Sequence, residues 1–173
     1  MRQHRTRRLT LGATAAAAVV AAVAFVPLGS AIAGHTNTLL ETTLDGRTEV
    51  GPDSRIAGDP NGTGEVYVFG IDGDPQTLCY VLTVDKIEPA SAAHLHEAGA
   101  GENGPVVVNL AAPGDGNAAD CLSEGEVLPS GAAAFPGGTT VAEILANPED
   151  YYVNVHNGEY PGGALRGQLD YQD

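Results

Sequence analysis

The sequence predicts an all-β fold: a single antiparallel β-sandwich or flattened barrel with one short helix, preceded by a signal peptide. Three observations carry that expectation. Short runs dense in β-branched and aromatic residues recur along the chain, as in EVYVFGID (residues 65–72) and TLCYVLTVDKI (77–87). Clusters of Gly, Pro, Asp and Asn separate these runs and read as turns. Helical periodicity is nearly absent outside one N-capping signature. Composition does not separate a sandwich from a barrel.

Residues 1–33 have the form of a secretory signal. Arg2, Arg5, Arg7 and Arg8 precede an apolar run, and Ala31-Ile32-Ala33 offers a small-x-small cleavage site. Both general secretion and twin-arginine export are compatible with this segment. Residues 34–64 form a lead-in and loop, within which 39–44 is either a first strand or a linker. Asp59-Pro-Asn61-Gly-Thr63-Gly64 begins like a calcium loop, but Gly70 stands where the closing Glu belongs, so a plain turn is expected. Residues 65–170 make up the β domain. Its second strong strand turns Leu78, Tyr80, Leu82 and Val84 toward the core, and Cys79, Val81, Thr83 and Asp85 away from it.

An H-x-H strand follows, Ser91-Ala92-Ala93-His94-Leu95-His96-Glu97, and then a strand over 105–110. Residues 111–138 are rich in Gly, Ala and Pro and too long for a simple turn, so they are either functional or stapled in place. Thr140 and Glu143 have capping-box spacing and open a short helix to about Ala146. The last pair of strands covers 151–156 and 164–170, joined by a glycine-rich connection in a long hairpin.

The chain carries 22 Asp and Glu against 8 Lys and Arg. Four of those arginines lie in the expected signal. Removing it leaves Arg47, Arg55, Lys86 and Arg166 against 22 acids, a net charge of −18. Such a chain is expected to bind neither nucleic acid nor an anionic membrane surface. Cys79 and Cys121 both lie in the exported part, where a disulfide is the default. The alternative, two thiols serving as metal ligands, lacks any metal-ligand spacing to a partner.

The chemistry is concentrated in His94, His96 and His156. Two histidines two apart on a strand share one face. In Tyr152-Val153-Asn154-Val155-His156, alternation puts Tyr152, Asn154 and His156 on one face and Tyr151, Val153 and Val155 on the other. A sheet that pairs these strands gathers three imidazoles, a donor set for copper, with zinc as second choice. The structural alternative makes His94 and His96 neutral, hydrogen-bonded to Asn154, Glu97 or Arg166. In that reading Arg166 meets a buried carboxylate or backbone carbonyls, and Gly162, Gly163 and Gly167 allow close backbone approach. No serine-centred triad, phosphate loop or CxxC motif is present, and no catalytic residue is expected.

AAHLHEAGAGENGPVVVNL and NPEDYYVNVHNGEYPGGALRGQL resemble the two signature stretches of the CHRD (chordin-type) domain in its bacterial secreted form, with TLCYVLTV before them fitting the same pattern. The resemblance runs from about Glu65 to Leu169. It implies an exported, non-catalytic binding or structural module with an extracellular or envelope partner. A more distant likeness is to copper–zinc superoxide dismutase, a β-sandwich with an H-x-H pair on one strand. It implies His94, His96 and His156 as copper ligands in a redox enzyme. The bridging histidine and zinc loop of that family have no counterpart here, and Arg166 follows His156 too closely to match its anion-guiding arginine.

Overall fold

A computed structural model describes residues 38–172 apart from 52, 54 and 56; the expected signal segment lies outside them. The described residues form nine strands, β1 (Leu39–Asp45), β2 (Thr63–Ile71), β3 (Asp74–Asp85), β4 (Ala90–Glu97), β5 (Val106–Leu110), β6 (Asn117–Ser123), β7 (Tyr151–Asn157), β8 (Leu165–Gln168) and β9 (Asp170–Tyr171). One helix, α1 (Val141–Ala146), precedes β7. All strand pairs are antiparallel and belong to one sheet in the order β5-β4-β7-β8-β1-β2-β3-β6, with β9 on β1. Of the two expected forms this is the flattened barrel, a single sheet curled until it is nearly closed.

Its two edges are β5 and β6, and the chain that follows β6 reaches back to β5. After β6, Val127 bridges Ala133, and Ala134 N–H donates to the Glu126 carbonyl. Asn109 of β5 donates its backbone N–H to Ala134 O and its side-chain amide to Ala133 O. Asn109 is thereby paired at the β5 edge. Tyr80, buried on β3, accepts from Ala111 N–H at 2.7 Å and ties the β5 end across the interior.

The interior follows strand alternation. Leu40 and Leu44 of β1, Val66 and Val68 of β2, Leu78, Tyr80 and Leu82 of β3, Leu95 of β4, and Val153 and Val155 of β7 meet in one core. Val84 is partly buried against it. Residues 39–44, open in sequence between strand and linker, are a strand at the middle of the sheet, paired along their length with β2. Leu40 and Leu44 are its core face.

The segment 111–138 differs from a simple stapled loop. Its first half is strand β6, paired with β3 from Thr83–Asn117 to Thr77–Ser123. The sequence NAADCLS has little intrinsic strand preference. It becomes a strand because β3 offers an open edge and because Cys121 sits directly opposite Cys79, to which it is disulfide-bonded. Cys79 lies outside the core cluster, as alternation requires. The expected capping box is present: Thr140 Oγ1 accepts from Glu143 N–H, and Glu143 Oε2 accepts from Thr140 N–H. The turn reading at Asp59 also fits, since its carboxylate accepts from Asn61 N–H at 2.9 Å.

Candidate metal centre

Strands β4, β7 and β8 carry a second, polar layer on their outer face. Pairing sets His94 opposite Asn154, His96 opposite Tyr152, Asn154 opposite Arg166 and Tyr152 opposite Gln168. His156 is opposite Ala92, one step diagonal from His94. Alternation therefore puts all these side chains on one side, while Ala93, Leu95, Val153 and Val155 fill the barrel from the other. The two distant segments that carry the three histidines are neighbouring strands.

The rings converge. Centroid distances are 5.0 Å for His94–His156, 5.7 Å for His94–His96 and 6.4 Å for His96–His156. One nitrogen from each ring lies within 4.8 Å of the others. Backbone carbonyls, which only accept, set the tautomers. His96 Nδ1–H donates to Gly104 O at 3.0 Å, and His156 Nδ1–H donates to Pro161 O at 3.1 Å. Each ring thus keeps its lone pair on Nε2. His156 Nε2 in turn faces His94 Nδ1 at 3.1 Å, so His94 is the donor in that pair. His96 Nε2 is buried and has no partner.

These features fit a metal. Histidines that hold a metal characteristically donate their other N–H to a carbonyl or carboxylate, as His96 and His156 do. A tetrahedral ion with bonds of about 2.0 Å to nitrogen needs ligand atoms roughly 3.4 Å apart. The His94–His156 contact is near that spacing, and the widest separation must contract by small ring rotations. Binding would replace the proton shared between His94 and His156. Three imidazoles would leave one coordination position open.

Electrostatics favour the neutral rings that a metal requires. Burial lowers the His94 pKa to about 4, reinforced by His156 and His96. Burial also lowers His96, with Arg166 and His156 adding to it against the Gly104 hydrogen bond. His156 is lowered by burial too.

Arg166 and Asn154 frame the site from β8 and β7. Arg166 is only 2% exposed. Its guanidinium lies 3.4 Å from the Tyr152 ring centroid, and the other side of the stack is His96, parallel to Tyr152 at 4.8 Å. Its N–H groups go to Gly99 O, Glu102 O and Asn103 Oδ1, so of the roles open to it in sequence it takes that of carbonyl donor. Asn103 donates onward to Val50 O, which joins the two loops that roof the layer. Of the neighbouring glycines, Gly167 and Gly163 sit where a Cβ would collide with Thr43 O and Glu49, whereas Gly162 meets nothing.

Two residues of the site have no signal in the sequence. Glu49 comes from the Gly- and Asp-rich loop after β1, far along the chain from the three histidines of the site, and is buried beside Asn154. Asn103 lies in the GENG stretch, which reads only as a turn. Neither loop has a periodicity that reveals which face it covers.

Comparison with known proteins gives one positive result. Nothing among curated proteins or solved structures matches the chain. The family model for the CHRD domain matches residues 40–169, a span that takes in β1 and the loop after it as well as the signature stretches. The chain belongs to the CHRD domain family.

Proposed function

We propose that this protein is an exported, non-catalytic CHRD binding module that holds copper through His94, His96 and His156. One observation carries the reading: three imidazoles converge on one outer face, with the His96 and His156 tautomers fixed by carbonyls and the His96 lone pair left unpaired. Copper is favoured over zinc because an all-imidazole site binds divalent copper more tightly in the general affinity order. The Cys79–Cys121 disulfide and the signal-like residues 1–33 support export to an oxidising compartment. Its partner there is an extracellular or envelope component, and its acidic surface disfavours nucleic acid. A dismutase-like enzyme would turn a cation toward an anionic substrate, but Arg166 is buried and committed to backbone carbonyls.

Elemental analysis of protein purified from its native secretion tests this reading. About one copper per chain is expected, lost in His94→Ala and in His156→Ala with the circular dichroism unchanged. Metal at background level would return the three histidines to a purely structural role.

A further inference from the structure

Beside the histidines lies a cavity of about 350 Å³. Its lining residues include Glu49, Asn154 and His96, whose Oε2, Oδ1 and Nε2 are all buried and without a hydrogen-bond partner. Glu49 is 1% exposed and Asn154 3%. The oxygens of Glu49 and Asn154 converge over Gly163, where an added Cβ would lie 2.5 Å from Glu49 Oε2 and 2.7 Å from Asn154 Oδ1. Glu49 Oε1 is already served by Val50 N–H at 3.0 Å. No ion pair joins Glu49 to a cation among the described residues, and the hydrogen bonds of Arg166 go elsewhere. Turning the Asn154 amide over would give Glu49 an N–H donor and still leave its carboxylate without an ion pair, with only the field of Arg166 acting on it. Buried acceptors in this state carry a large desolvation penalty.

We propose that this cavity binds a primary ammonium group. Its three N–H donors match the three acceptors in number, and its charge neutralises Glu49. Val50, Ala57 and Pro161 supply apolar walls for a methylene stem. A hard divalent ion is a poorer fit, since calcium takes six to eight oxygens and the buried unpartnered atoms here are two oxygens and a nitrogen. The site shares one acceptor with the copper reading, and with metal bound two of the three remain. A metal would take the His96 lone pair and leave Glu49 and Asn154 in place.

Calorimetric titration of the full chain with butylammonium chloride, at pH 8 in EDTA, tests the proposal. One ligand per chain is expected. Glu49→Gln should weaken binding at least tenfold with the fold retained, and Asn154→Ser should weaken it several-fold. Tetramethylammonium, which has the charge and no N–H, should bind at least tenfold more weakly. Nα-acetyl-lysine methylamide separates two sources of the headgroup: comparable affinity points to a protein lysine side chain, and binding of butylammonium alone points to a free amine. Equal binding of tetramethylammonium, or undiminished binding by Glu49→Gln, would reduce the effect to diffuse attraction by an acidic surface. An absence of saturable heat would leave the cavity to water.

Discussion

Glu49 is the residue whose position is hardest to reconcile with its chemistry. It comes from a loop, yet it is almost wholly buried, and burial raises its pKa from 4.5 to about 7, against the lowering effects of Val50 N–H, Arg166 and Asn154. An acid that holds its proton more tightly folded than unfolded favours folding below pH 4.5. That gain is lost as the pH rises from 4.5 through about 7. Below that range a protonated Glu49 can donate to Asn154 Oδ1 and satisfy two orphan atoms together. Above it the carboxylate is buried with no ion pair among the described residues, held only by the field of Arg166. Glu49→Gln keeps the shape and a donor while removing the charge. Between pH 5 and pH 8 the metal-free wild type should therefore lose about 2 kcal/mol relative to Glu49→Gln, given about 1.4 kcal/mol per unit of pKa shift. Urea unfolding at the two pH values measures this difference. Parallel pH profiles for the two proteins would mean that Glu49 ionises as it does in water. None of this was legible in the sequence, where Glu49 is one acid among 22 in a loop of low periodicity.

At the scale of elements, legibility follows the range of the interactions that make each one. Helix α1 was readable because its capping box is complete within four residues. Strands β2 and β3 were readable because their own side chains prefer the pleat. Strand β6 was not, because its pairing comes from β3 and from a bond to a cysteine 42 positions away. That dependence makes β6 the element most sensitive to the disulfide. Closing a loop of this length removes about 4 kcal/mol of denatured-state freedom in the chain-entropy model. The double variant Cys79→Ala/Cys121→Ala should lose about 2–4 kcal/mol of stability. Hydrogen exchange should show where: amides of β6 and of residues 124–138 should open first, and those of β4 and β7 should keep their protection. Equal protection of β6 and β2 in the double variant would show that pairing with β3 alone holds the edge.

At the scale of the whole molecule, the sheet order was hidden and the site was half visible. The central place of β1, between β8 and β2, rests on pairings across the length of the chain and on no local signal. The adjacency of β4 and β7 was readable only through chemistry, since three sparse histidines at strand spacing have little reason to be scattered. Charge is the other global property, and its consequence can be measured. Among the described residues each exposed cation already sits beside an acid near it in sequence: Arg47 beside Asp45, Arg55 beside Asp53 and Lys86 beside Asp85. Arg166 is buried. Acids far outnumber cations among the described residues, and the folded state concentrates their mutual repulsion. Salt should relieve it, because the screening length falls from about 30 Å at 0.01 M to about 10 Å at 0.1 M. Raising NaCl from about 10 to 200 mM should therefore raise the melting temperature by several degrees, each 1 kcal/mol being worth about 4 °C for a domain of this size. KCl should act as NaCl does, since screening depends on ionic strength and not on a particular cation. A melting temperature indifferent to salt would mean that the acids are spaced beyond mutual reach, and one that rises with a single cation would point to a specific site instead of a field.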